Sequence, residues 1–221
     1  MINKIAVIIP DRGDRPEFTN HCLMQIDRQT RQPDKVYHVN YPPVDDSVDI
    51  VPRVRKGVEM AKRDNCTHAY IFENDDYYPD TYIENMSFDG SQFIGINITC
   101  YYSIITSSYA FIPHSKGSSL FCTAFKVSAL DNFTWPDDSV IYLDQELWQY
   151  ARDNLTISIK EMDRFCMPVG IKHGIGKCAG SFHGNDFNEI GAIQIKDDNN
   201  KWLRSMIRPE SMKLYNKING T

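Results

Sequence analysis

AYIFENDDYYPD, residues 69–80, is the stretch on which the reading of the chain turns. Ala69, Tyr70, Ile71 and Phe72 form an apolar run too short for a helix and suited to a buried strand. Glu73, Asp75, Asp76 and Asp80 follow at once, and carboxylates this close repel one another unless a cation sits among their oxygens. Hard divalent ions such as Mn²⁺ or Mg²⁺ take oxygen ligands and often bridge one or two carboxylates to substrate phosphates. The alternative is a solvated acidic loop, since runs of charge are commonly wet surface. Position favours the ion: open α/β sheets bind their ligands at the carboxyl ends of strands.

Working outward, Lys4 to Pro10 is a second apolar run, closed by the turn PDRGDRP at residues 10–16. Phe18, Cys22, Leu23 and Ile26 recur at helical spacing, with Thr19 or the preceding acid as cap, and Lys35 to Asn40 reads as the next strand. Val51, Val54, Val58 and Ala61 mark a helix with Arg53, Arg55, Lys56, Lys62 and Arg63 on its other positions. Strand, helix, strand, helix, strand with short links predicts a mostly parallel sheet with helices on both faces, wound like a nucleotide-binding half-domain.

The second half is less periodic. Phe93 to Ile98 suggests a strand, residues 99–119 a Ser/Tyr-rich stretch ending in PHSKGSS, and Leu120 to Val127 another strand. Leu143, Leu147 and Ala151 set a short helix, Leu155, Ile157 and Ile159 alternate as a strand, and two helices close the chain after Asp198. Residues 165–184 hold five glycines and two histidines, which reads as a loop able to approach a ligand closely.

The 42% hydrophobic content excludes a disordered chain, and a net charge of −5 argues against nonspecific coating of nucleic acid. No apolar run is long enough to span a bilayer, and nothing at the amino end resembles a signal peptide. Six cysteines without close pairs look like reduced thiols, so a cytoplasmic location is expected.

Several segments taken together resemble a GT-A glycosyltransferase, most like the large inverting family with a family-2-type amino-terminal half. They are IAVIIPDRGDRP, IDRQTRQPDKVYHV, the helix with Gly57 and Ala61 leading into IFENDDYYPDTYI, SLFCTAFKVSALDNF, and LDQELW; they span roughly residues 4–152. The resemblance implies one GT-A domain over 1–221, with a nucleotide-sugar half at 1–98, an acceptor and catalytic half at 99–190, and terminal helices at 191–221. It implies transfer of a sugar from a nucleotide diphosphate donor, a UDP-sugar first, to an acceptor hydroxyl with inversion, assisted by Mn²⁺ or Mg²⁺.

Carried over residue by residue, Pro10, Arg12, Arg15, Asn40, Arg53, Asn74 and Asp75 would meet the donor. Asp75 would be the direct metal ligand, with Asp76 and Glu73 beside it; the register of the acidic motif stays open between Glu73 with Asp75 and Asp75 with Asp76. His173 and His183 would add a metal or phosphate contact. Asp144 would be the catalytic base, with Glu146 second, although an Asp before an apolar helix is also a favoured cap. Asn40 stands where many members have Asp, so the nucleotide is not fixed. Lys116, His114 and the serines around them would form the acceptor side or a cover over the donor. The acceptor stays open: a glycan, a lipid-linked sugar, a protein, a small molecule or a modified DNA base. Two other readings compete, a metal-dependent nucleotidyltransferase and a non-catalytic nucleotide-sugar-binding protein.

Overall fold

The computed structural model describes residues 3–41, 48–174 and 192–220. Strand β1 (Ile5–Pro10) is buried along its whole length because both of its faces are covered. Ala6 and Ile8 join the core beneath helix α2 (Ile50–Arg63), whereas Ile5, Val7 and Ile9 join the core on the side of helix α1 (Pro16–Asp27). Gly57 is what lets α2 lie so close: a Cβ there would sit 2.3 Å from Ile8 Cγ2.

Strands β2 (Lys35–Val39) and β3 (His68–Ile71) flank β1 in parallel, which gives the expected βαβαβ core. Beyond them come α3 (Tyr82–Asn85), β4 (Phe93–Ile96), β5 (Ile98–Ser103), β6 (Ser108–Pro113), β7 (Ala124–Lys126), α4 (Leu143–Asn154) and β8 (Ile157–Lys160). The main sheet runs β2-β1-β3-β7-β4-β8, with β7 antiparallel to both neighbours. This is the mixed, Rossmann-like α/β architecture expected.

Three expectations change. Residues 98–113 are a β-hairpin, β5 with β6, and not an irregular stretch; its tight turn is made possible by Ser107 at φ 48°. Within the glycine-rich segment, Val169–Lys172 is a strand, β9, parallel to β5 and bridged to Tyr77. The run from Leu120 becomes a short 3₁₀ turn followed by only three residues of β7. The hairpin, β9 and β10 (Ile195–Lys196) form a second sheet in the order β10-β6-β5-β9. Helices α5 (Lys201–Met206) and α6 (Pro209–Asn219) close the chain, and Leu203, Met206, Met212 and Tyr215 pack into the core shared with Tyr102 and Ile171. Among the described residues no helix is long and apolar enough to cross a membrane. Cys22, Cys66, Cys100, Cys122 and Cys166 form no disulfide, and Cys178 lies outside the described residues.

Candidate active site

The turn after β1 is built by Asp11, whose Oδ1 accepts the Gly13 N–H at 3.0 Å while Gly13 takes φ 77°. Pro16 then starts α1, and the pre-proline Arg15 stays extended at φ −133° and ψ 67°. No side chain caps α1. Thr19, expected as a cap, instead donates its hydroxyl to Asp11 Oδ2 at 2.6 Å from inside the helix. Asp11, 1% exposed, also pairs with His38 Nε2 at 2.6 Å and accepts from Asn74 Nδ2 at 2.8 Å. These bonds hold its carboxyl below the ordinary range in spite of burial.

Asp11 thereby fixes Asn74, and Asn74 Oδ1 accepts from Arg15 Nη2 at 3.2 Å. Arg15 Nη1 reaches Asp75 Oδ2 at 2.8 Å, and His173 Nε2 lies 2.9 Å from the same oxygen. Burial alone would raise the Asp75 pKa; the Arg15 charge and the His173 bond overcome it and hold the group well below the usual carboxylate range. Its neighbours go the other way. Burial, then the Asp75 charge, pushes Glu73 up to about 7. Asp76 rises well above its ordinary value for the same reasons, and its Oδ1 accepts the Ile171 N–H at 2.8 Å. Asp76 thus ties the acidic loop to β9, and of the three acids Asp75 is the one whose pKa is lowered.

A cavity of about 200 Å³ opens over this network, at the carboxyl ends of β1 and β3. Asp75, His173 and Asp144, the last in the first turn of α4, all border it. Tyr142, not Asp144, takes the cap position of α4. Burial raises the Asp144 pKa, partly offset by backbone N–H groups. Lys172 points its ammonium over the Tyr101 ring at 4.7 Å, and the Tyr101 hydroxyl donates to Ser119 Oγ at 2.7 Å. At another part of the cavity wall, buried Asp49 bridges two cations through Oδ2, Arg12 Nη1 at 3.2 Å and Arg53 Nη2 at 2.6 Å. Arg53 is 1% exposed, stacks 4.0 Å over Tyr41 and donates to the Val39 and Tyr41 carbonyls.

Of the residues expected from sequence, Pro10, Arg12, Arg15, Arg53, Glu73, Asn74, Asp75, Asp76, Asp144 and His173 border this one cavity. Asn40 and Glu146 do not. Both are exposed: Asn40 follows the end of β2, and Glu146 lies on the outer side of α4. His183 lies outside the described residues. Arg53, expected to meet the donor, lines the cavity as a buried strut. Sequence reasoning missed Asp11, Asp49 and Lys172. For Lys172 a signal existed: Val169 and Ile171 alternate as a strand does, leaving Lys172 and His173 at its tip.

The fold and the cavity at its strand ends define a GT-A type α/β architecture. Among solved structures the chain is similar to S. aureus TarS, with a TM-score of 0.53 and 12% identity over 77% of this chain and 37% of that one. It is also similar to S. aureus TarS 1-349 in complex with UDP-GlcNAc, with a TM-score of 0.53 and 12% identity over 81% of this chain and 61% of the other. The likeness at this identity is one of fold, and the chain spans less than two thirds of either structure's length. No family model matches the chain, and no curated protein matches it in sequence.

Proposed function

We propose that the protein is a glycosyltransferase that moves a sugar from a nucleotide diphosphate donor, a UDP-sugar first, to an acceptor hydroxyl with inversion. One observation carries the reading: a single cavity is lined both by a charged group, Arg15, Asp75 and His173, and by a carboxyl whose pKa burial raises, Asp144. Support for the donor comes from the fold, since a protein of the same architecture was solved with UDP-GlcNAc bound.

Arg12, Arg15 and Lys172 supply positive charge where a diphosphate would lie. In the transfer step the acceptor oxygen forms a bond to carbon 1 of the sugar. The bond from carbon 1 to the diphosphate oxygen breaks, and the nucleoside diphosphate leaves with the electron pair. The hydroxyl proton passes to the Asp144 carboxylate, which suits a group whose pKa lies above the ordinary Asp value.

Asp75 and His173 have the donor chemistry for a divalent ion, but Asp75 Oδ2 and His173 Nε2 bond each other at 2.9 Å and Arg15 Nη1 lies 2.8 and 3.3 Å from them, so an ion would have to displace these contacts. Asp75 and His173 would hold Mn²⁺ or Mg²⁺, one carboxylate and one imidazole, with water and the diphosphate completing the shell. Among the described residues no three His, Cys, Asp or Glu side chains come together as a metal group, so the ion would depend on the substrate for binding. When bound, it would neutralise charge on the departing diphosphate.

A thermal-shift panel of nucleotide sugars with and without Mn²⁺ tests the donor, because a ligand that binds the folded state raises its melting temperature. A UDP-sugar should give the largest shift, and turnover should release nucleoside diphosphate. Release of pyrophosphate would make the protein a nucleotidyltransferase. Binding without hydrolysis or transfer would make it a binding protein.

A further inference from the structure

Beside the donor cavity lies a second cleft, of about 360 Å³, which shares Asp144 with it. One wall is the segment from Pro113 to Ser118, and the other is the face of α4 that carries Gln145, Trp148 and Arg152. The wall is tied at several points. The His114 N–H donates to the Asn97 carbonyl at 2.6 Å, and Ser118 Oγ bonds both the N–H and the carbonyl of Ile96, at 3.1 and 3.2 Å. Arg152 Nη1 donates to the Lys116 carbonyl at 3.0 Å. Gly117 packs flat on Trp148, where a Cβ would come within 3.3 Å of Cγ.

The cleft gathers two cations. Its ionic side chains are Lys116, Arg152 and, at the end shared with the donor cavity, Asp144. Arg12, Arg15 and Arg53 each pair with an acid; among the described residues Lys116 and Arg152, like Lys172 of the donor cavity, pair with none, and Arg152 Nη2 donates to Gln149 Oε1. Burial lowers the pKa of His114, which favours its neutral form, and its Nε2 bonds Thr99 Oγ1 at 2.8 Å. In a protein of net charge −5, two cations without counterions flanking one cleft leave a site that attracts an anion.

We propose that this cleft receives the acceptor, and that the acceptor carries a phosphate group close to the hydroxyl that is glycosylated. The fixed Arg152 fork and the Lys116 point charge take the phosphate, and the neighbouring hydroxyl lies toward Asp144. This deepens the glycosyltransferase reading and rests on Asp144 as its base. A neutral glycan would leave both cations unanswered, and the carboxylate of a sugar acid would offer them less charge than a phosphate does.

The test is direct binding, by calorimetry, of glucose phosphate, glucuronate and glucose to the wild-type protein and to the K116Q and R152Q variants. Glucose phosphate should bind best, lose at least tenfold in affinity in R152Q and severalfold in K116Q, and weaken as salt is added. Glucose phosphate that binds no tighter than glucose or glucuronate overturns the proposal. So does binding that is unchanged in both variants; K116Q alters an exposed side chain, so its result does not depend on the folding of R152Q. Nucleotide-sugar binding by the wild-type protein, measured in the same buffer, reads the glycosyltransferase assignment separately.

Discussion

Asp75 and Asp144 border the same cavity and are held in opposite ways. Asp75 is gripped by Arg15 and His173, with Asn74 and Asp11 behind them, and stays ionised far below the usual range. Burial raises the Asp144 pKa, and backbone N–H groups and the Lys172 charge offset that only in part. Two carboxylates driven apart in this way suit two roles: one holds a permanent charge, and the other gives and takes a proton. The chain obtains the difference from where its cations lie, not from the acids themselves.

The largest effect that tests this contrast is on transfer. D144N should lower the transfer rate by about 10²- to 10⁴-fold, the usual contribution of a positioned general base, with donor affinity nearly intact. Isothermal titration with a UDP-sugar beside a turnover assay separates the two quantities. Loss of donor binding in D144N would remove Asp144 from the base role, and equal loss of transfer in E146Q alone would move that role to Glu146.

Next is the strength of the grip on Asp75. R15Q should cost about 1.5–3 kcal/mol of stability, the range for hydrogen bonds to charged groups, and should weaken donor binding. Urea denaturation of R15Q, D75N and the double variant should show less-than-additive losses, with a coupling of about 0.5–3 kcal/mol. Additive losses would mean that the two side chains act separately and that the contrast with Asp144 has another source.

The pH profile sharpens the other half. A base must be ionised to accept a proton, and the pKa of Asp144 lies above the ordinary Asp value. Transfer should therefore fall on the acid side by about tenfold per pH unit once the pH drops below that raised pKa. The residual activity of D144N should lack this limb. An acid limb that persists unchanged in D144N would belong to a different group.

How much of this was legible in the sequence follows from the range of the interactions. The βαβαβ half could be read because its signals are local: the apolar run of β1, the helical spacing of Val51, Val54 and Val58, and the acids directly after β3. The network on Asp75 was legible only in part, since its members come together through tertiary pairing. Asp11 meets Asn74 from 63 positions away and His173 meets Asp75 from 98, the latter because β9 pairs with β5 and bridges Tyr77. The β5–β6 hairpin was missed because β5 is buried on both faces from Thr99 to Ser103, which removes the alternation that marks a half-exposed strand. Asp49 stood in an acidic loop with no local sign that Arg12 and Arg53 would converge on it.

The smallest expected effect is on stability, and its sign is specific. Because the folded-state pKa of Asp144 is raised, the native protein binds this proton more tightly than the unfolded chain does. The stabilisation from the protonated carboxyl is complete below the unfolded value, near 3.9, and is lost as pH rises through the folded pKa. An Asn cannot ionise and keeps its carbonyl oxygen for the backbone donors, so D144N should melt higher than wild type at neutral pH. The difference should shrink to nothing below about pH 4. A removed salt-bridge acid would do the reverse and lower the melting temperature at neutral pH, as D75N should. Melting curves of the two variants across pH therefore ask one question of both acids, and opposite signs at neutral pH are the outcome that the geometry of the cavity requires.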